Sequence, residues 1–433
     1  MTPAAGRGLL RASLLLLAGG AAAQALPLLL GPWLTRLYTP AEFGQFHLLA
    51  AVAANLAVVA CARYEFALPL ARDEAEARSL SALCRWLLLM ATVLASLVGA
   101  GWAAWVGQWW PLQLPLLVAA TGGVSLATLG AMRAQRFRAL ATGRVVQHGG
   151  TALLQGAAGT LGAGSAGLIG AAVAATLACA ALLWRRVPRW WQLPRAEIAA
   201  AARRHRDFPL LNTPHAFAGA LQDTLALALI AAWQGPAAAG FWGLSLRYLK
   251  APATLVGGAV SQALYPALAA GAAVHPLPPG GAVHPLPLGG AVHPLSPGGA
   301  TPAARAAVRR VMVVLAAIAL PLVLLLLAFA PWAFEAAFGA PWRSAGDLAR
   351  SLALYIGLHF IASPLSVVPM AWGAQAWALR LALVGQVMFV AALVVGLAVG
   401  GLEGAGWAVS AAMVLYFGWF FWRLATWPVV QAP

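Results

Sequence analysis

DFPLLNTPHAFAGALQDTLALALIAAWQGPAAAGFWGLSLRYLKAPATLVGGAVSQALYP, residues Asp207–Pro266, decides how this chain is read. Two long apolar runs flank Trp233-Gln234-Gly235-Pro236, with Asp223 inside the first and Arg247 and Lys250 inside the second. Each run is long enough to cross a bilayer, and a charge held in hydrocarbon costs at least ~2.5 kcal/mol. Three such charges therefore require a partner, a wet cavity or a ligand. Arg247 and Lys250 are three residues apart, which places them on one helical face. Counted from the turn at ~1.5 Å per residue, Asp223 and Arg247 both lie about 15 Å deep. Two readings follow. Asp223 and Arg247 form a buried salt bridge that pins two helices, or they belong to a binding site together with Lys250, which has no obvious carboxylate of its own.

The composition agrees with a membrane protein. Of 433 residues, 62% are hydrophobic and 9% charged, with a mean hydropathy of +0.81, whereas soluble domains average about 25% charged residues. Cys61, Cys84 and Cys179 show no C-x-x-C spacing and read as small apolar fillers, neither disulfide nor metal ligands. Arg7 and Arg11 precede an apolar run in which Ala23-Gln24-Ala25 has the form of a signal-peptidase site. The run continues past it to Leu34, so it reads as a first spanning helix.

Eleven further apolar segments follow: residues 43–62, 80–106, 112–132, 145–161, 166–184, 208–232, 238–264, 308–330, 348–372, 377–399 and 404–422. With the N-terminus inside, all but five of the 27 Lys and Arg residues fall on the termini and the even-numbered connections. The five are Arg36, Arg343 and Arg350 on odd connections, and Arg247 and Lys250 within a helix. The positive-inside rule then places both termini in the cytoplasm. The formal charge of +16 is spread over short loops, which excludes nucleic acid as a partner.

Pro40-Ala41-Glu42-Phe43-Gly44 recurs 196 residues later as Pro236-Ala237-Ala238-Ala239-Gly240, each copy at an outer hairpin. Gly164-Ser165-Ala166-Gly167 likewise resembles Glu403-Gly404-Ala405-Gly406. The expected fold is an all-α polytopic membrane protein of about twelve transmembrane helices. Residues 1–184 and 208–433 form two six-helix lobes related by a parallel repeat, joined by a basic cytoplasmic linker at 185–207. Ala273–Gly299 is three copies of a nine-residue His-Pro unit. It reads as a polyproline-like loop rather than a metal site, because His275, His284 and His293 have no Cys or carboxylate nearby. The tryptophans at 102, 105, 109 and 110 read as interfacial anchors.

LTRLYTPAEFGQF (Leu34–Phe46) and ARYEFALPLARDEAEA (Ala62–Ala77) resemble the O-antigen and polysaccharide repeat-unit flippases of the multidrug/oligosaccharidyl-lipid/polysaccharide exporter superfamily. The resemblance continues through QRFRALATGRV (Gln135–Val145), Asp207–Trp242, LRYLKAP (Leu246–Pro252) and Gln262. It implies a MATE-like fold that carries undecaprenyl-diphosphate-linked oligosaccharide across the bacterial inner membrane by alternating access. Membrane lipids and polysaccharide assembly proteins are its expected partners, and no cofactor is implied. Arg36, Tyr38, Pro40, Gly44, Arg63, Tyr64, Glu65, Arg247 and Pro252 match the pattern, whereas the position of Lys250 and the His-Pro repeat stand outside it.

A diphosphate is best gripped by guanidinium or ammonium donors in a low-dielectric cavity. The candidate substrate-binding set is Arg247, Lys250, Asp223, Arg63, Gln262, Asn55 and Gln24. The last three are polar residues on apolar runs, suited either to sugar hydroxyls or to interhelical hydrogen bonds. Arg63 and Glu65 at the inner end of the second helix read equally as a local ion pair or as an entry gate. The competing functions are a drug/cation antiporter, which favours carboxylates in its cavity, and a membrane-embedded polymerase or ligase. An enzyme needs acid/base residues gathered on an outer loop, and the longest, Pro331–Asp347, offers only Glu335, Arg343 and Asp347.

Overall fold

The computed structural model describes residues 25–184, 191, 193–272 and 300–429. Gln24 and the His-Pro repeat lie outside them. Residues 25–37 form helix α1, followed by α2 (Pro40–Val59), α3 (Glu74–Val106), α4 (Leu114–Arg133), α5 (Phe137–Thr160), α6 (Gly164–Leu183) and α7 (Arg195–Arg204). Then come α8 (Thr213–Leu249), α9 (Ala251–Ala272), α10 (Pro302–Phe338), α11 (Arg343–Ser351), α12 (Ala353–Leu365), α13 (Val368–Ala371) and α14 (Gln375–Ala425).

Among the described residues, eight helices are long and apolar enough to cross a membrane. Two of them are too long for one crossing. The 43 residues from Ala216 to Gly258 and the 51 of α14 would run about 65 and 77 Å, against a hydrocarbon core of ~30 Å. Each is broken where the sequence placed a turn: at Gly235, with φ 84° and ψ 172°, and at Gly400-Gly401, the second with φ 59°. Positive φ is what glycine supplies without steric cost.

The chain divides into two compact units, Met1–Gly243 with Ala337–Pro341, and Leu244–Ala336 with Trp342–Pro433. In the first unit, α2 starts at a capping box. Thr39 Oγ1 accepts the Glu42 N–H at 3.3 Å and Glu42 Oε2 accepts the Thr39 N–H at 2.7 Å, with Pro40 opening the first turn;. Helix α5 is the least apolar of the expected spans, and its glycines explain why it packs nonetheless. Gly143 and Gly150 lie against Cys179, Leu183 and Ala175 of α6, while Gly149 and Gly156 lie against Leu26 and the Trp33 ring of α1. Two glycine pairs at seven-residue spacing thus open two faces to close helix approach, which is how helices associate where lipid leaves little hydrophobic drive. Tyr38 adds a buried hydrogen bond to the Gln155 carbonyl at 2.6 Å.

The two copies of the repeated pentapeptide pack on each other. A Cβ on Gly44 would overlap the Pro236 carbonyl, and one on Gly240 would overlap the Pro40 carbonyl. The contact is reciprocal, so the repeat read along the chain is a symmetric helix crossing in space.

In the second unit, Ser245 donates to the Ala345 carbonyl at 2.8 Å and Ser410 to the Ser351 carbonyl at 2.6 Å, both buried. Arginines of the connections also make specific backbone contacts. Arg133 donates to the carbonyls of Ala71 at 2.7 Å and Asp73 at 3.1 Å, Arg136 to Leu183 at 3.1 Å, and Arg309 Nε to Ala425 at 2.9 Å. The last two cap the C-terminal carbonyls of α6 and α14, where the helix dipole favours a cation.

The residue after the His-Pro repeat is tied down. Ala300 N–H bonds the Pro428 carbonyl at 3.1 Å in an isolated bridge to the C-terminal segment. Deleting Ala273–Gly299 is expected to leave membrane abundance and thermal stability unchanged. A lower Tm for the purified deletion variant in detergent would refute this.

Candidate functional site

The second apolar run of the decisive stretch continues past Arg247. Lys250 separates α8 from α9, and Pro252 has no N–H to give;. Backbone bonds from Lys250 N–H to Leu246 at 3.0 Å and from Thr254 N–H to Lys250 at 3.1 Å carry the helical path through. The helix buries Ser245, Leu249, Ala253 and Gly257, a seam with i, i+4 spacing;. Ser245 is held by α11, and Gly257 abuts the Ser363 side chain of α12. Arg247 and Lys250 lie off that seam, both half-buried. The fold thus packs one seam of this helix against α11 and α12, and Arg247 and Lys250 sit off that seam.

Asp223 occupies an exposed position on the part of α8 before Gly235. Asn55 is buried in α2, and its Nδ2 donor has no hydrogen-bond partner among the described residues. Gln262 falls in α9, but its side chain lies outside the described part of the molecule.

Of the two readings of Arg63 and Glu65, ion pair or entry gate, the close ion pair is not formed. Arg63 adopts φ 61° and sets its guanidinium over the Phe66 ring, 4.2 Å from the centroid, rather than within 4 Å of Glu65. Glu65 is turned inward and is 2% exposed. Burial pushes its carboxyl above the usual carboxylate range, against its backbone hydrogen bond and the Arg63 charge, which pull it back;.

A cavity of about 830 Å³ in the first unit is lined by Gln45, Trp102, Trp105, Gln108, Trp110 and Leu229, among others. Most of its lining is apolar, and Gln108 Oε1 accepts Trp110 Nε1 at 2.7 Å and Gln45 Nε2 at 3.3 Å. Such a cavity accommodates hydrocarbon, not a phosphate, and none of the described candidate residues lines it. Trp105 and Trp109 are 82% and 57% exposed, as anchors should be. Trp110 is buried against Trp102 with ring centroids 4.8 Å apart. Trp102 and Trp110 thus form a packed aromatic pair as well, a contact that the reading of all four as interfacial anchors did not include. In the stretch Pro331–Arg350, Glu335 pairs with Arg343 at 2.6 Å and Asp347 with Arg350 at 3.2 Å.

These features define an all-helical, multi-pass membrane protein with half-buried cations on one helix. No family model and no curated protein matches the chain. Among solved structures it is similar to the inward-facing conformation of a multidrug resistance MATE family transporter of the MOP superfamily, at 15% identity, TM-score 0.65, covering 94% of each chain. It is also similar to the lipid II flippase MurJ in an inward closed conformation, at 10% identity, TM-score 0.69, covering 94% of this chain and 89% of that one. A MOP superfamily transporter from Pyrococcus furiosus matches at 14% identity with TM-score 0.54, covering 96% of this chain and 95% of that one. The chain therefore has the fold of MOP-superfamily transporters, and the structures it resembles are transporters rather than enzymes.

Proposed function

We propose that this chain is a flippase that carries undecaprenyl-diphosphate-linked oligosaccharide from the inner to the outer leaflet of the bacterial inner membrane. The observation that carries the reading is the pairing of Arg247 and Lys250 on one face of an apolar helix whose other face is packed. Two adjacent cations in low dielectric suit a diphosphate, since charge-assisted hydrogen bonds are strong there and Arg grips phosphate bidentately. The superfamily fold hosts a multidrug transporter and a lipid II flippase, and two cations favour an anionic cargo over a cationic drug. For the Pyrococcus furiosus transporter, reversed pocket polarity is likewise what suggests a different function. A drug/cation antiporter is the second reading; Asp223 is the feature in its favour, outweighed by the two cations.

In this proposal twelve spans, in two six-helix lobes at 1–184 and 208–433 joined by the basic linker, rock to give alternating access. Breaking α8 at Gly235 and α14 at Gly400-Gly401 adds two spans to the eight, and α1 and α5 complete the count. Asp223 keeps its place as counter-charge on the sequence argument of matched depth, and Asn55, Gln262 and Gln24 are proposed to meet the glycan.

Deleting the gene is expected to make lipid-linked glycan accumulate on the cytoplasmic face, with efflux of cationic drugs unchanged. Unchanged glycan together with lost efflux would favour the antiporter. Reporter fusions after Ala200 and after Gly235 are expected in opposite compartments; the same compartment for both would overturn the twelve-span map.

A further inference from the structure

Three donor side chains that transport leaves unused meet inside the first unit. Cys61 lies just past the end of α2. Ala62 and Arg63 then take left-handed backbone angles, φ 47° and 61°, a conformation that residues with a Cβ rarely adopt. Such a reversal returns the chain at once into the short 3-10 helix Tyr64–Leu70, and Glu65, on its first turn, faces back toward Cys61. Cys84 comes from α3. The two thiol sulfurs and a Glu65 carboxylate oxygen lie within 4.8 Å of one another, and all three residues are buried.

The surroundings are apolar, with Ala60, Ala67, Leu68, Leu80, Leu88 and Leu126 in the same cluster. Glu65 Oε2 is buried there without a hydrogen-bond partner among the described residues, while Cys61 Sγ sits 3.5 Å from the Cys84 carbonyl. A carboxylate oxygen left unsatisfied in such a place is costly unless something fills the gap.

We propose that Cys61, Cys84 and Glu65 form a binding site for a thiophilic divalent cation of the zinc class. Two sulfurs and one carboxylate oxygen are a donor set that suits such an ion. Bonds of about 2.3 Å to sulfur and about 2.0 Å to oxygen place tetrahedral donors roughly 3.5–3.8 Å apart. Small side-chain rotations reach that from the observed spacing. Each donor gives up its proton on binding, so three negative charges face two positive ones. Arg63 and Arg85, each adjacent in sequence to or two residues from a ligand, offset the remainder. Water completes the fourth position. The bound ion ties the inner end of α2 to α3 and gives Glu65 Oε2 its missing partner. Twenty-three residues separate the two cysteines, so spacing along the chain conceals a site that the backbone reversal at Ala62-Arg63 creates.

Cobalt(II) titrated into the purified, reduced, full-length protein tests the proposal without any transport assay. One equivalent is expected to produce a near-ultraviolet thiolate-to-cobalt band and visible bands of tetrahedral cobalt, displaced by zinc. Cys61→Ser and Cys84→Ser are expected to lose most of the near-ultraviolet band. Glu65→Gln should bind at least tenfold more weakly, and Cys179→Ser should behave as wild type. Should a variant fold poorly, zinc protection of Cys61 and Cys84 against maleimide in the wild-type protein, with Cys179 as reference, gives the same answer. Absence of the band in wild type, its persistence in the Cys61→Ser/Cys84→Ser double variant, an absence of zinc protection, or a Cys61–Cys84 disulfide in the reduced protein would overturn it.

Discussion

Arg247→Ala is expected to abolish export of the lipid-linked glycan, with the protein still reaching the membrane at a reduced level. The guanidinium is the bidentate donor in the proposed diphosphate site, and nothing else on its helical face reproduces that geometry. Lys250→Ala should give a milder loss, with Lys250→Arg near normal if charge alone matters. In the proposed pairing Arg247 also balances Asp223, so Asp223→Asn in the same chain is expected to recover protein level but not export, because the phosphate ligand is still missing. Export and membrane abundance measured side by side separate the two effects. A double variant exporting at the wild-type rate would make the charges structural and move the diphosphate site elsewhere.

The second large effect is expected at the repeat crossing. Gly44→Ala or Gly240→Ala places a methyl group on the backbone carbonyl of Pro236 or Pro40, and a backbone carbonyl has no rotamer to retreat into. The helices must separate, at a cost of about 1–3 kcal/mol for such overpacking. Because one separation relieves both clashes, the double variant should cost less than the two singles combined. Thermal unfolding of the purified protein in detergent reads this directly. Gly44→Ala with an unchanged Tm would mean that the crossing is looser than its geometry indicates.

The reach of sequence reasoning is clearest where a single physical constraint acts locally. Bilayer thickness fixes span length, and charge avoidance fixes which loops hold arginine, so most helices and both internal breaks were legible from apolar runs and Gly/Pro punctuation alone. Thr39-Pro40-Ala41-Glu42 announced a capped helix start, and the structure shows both of its hydrogen bonds. Helix α5 is the least apolar of the spans, and hydropathy undervalues its glycines; the Gly143/Gly150 and Gly149/Gly156 pairs acquire meaning only against the helices they touch.

The site divides in the same way. That Arg247 and Lys250 share a face follows from helical periodicity, and that Asp223 sits in an apolar run follows from composition. Which face of their helix is packed was decided by partners distant in the chain, Ala345 and Ser363. The stacking of Trp110 on Trp102, the placement of Arg63 over Phe66 instead of beside Glu65, and the gathering of Cys61, Glu65 and Cys84 were equally invisible in the sequence. The sequence by itself determined a polytopic helical protein with a repeated pentapeptide and cations within an apolar run, because those properties depend on each residue's own transfer cost and backbone preference. Only the tertiary structure decided that the two pentapeptides cross at Gly44 and Gly240 and that two cysteines and a glutamate converge, because contacts between distant segments depend on how side chains fill space together.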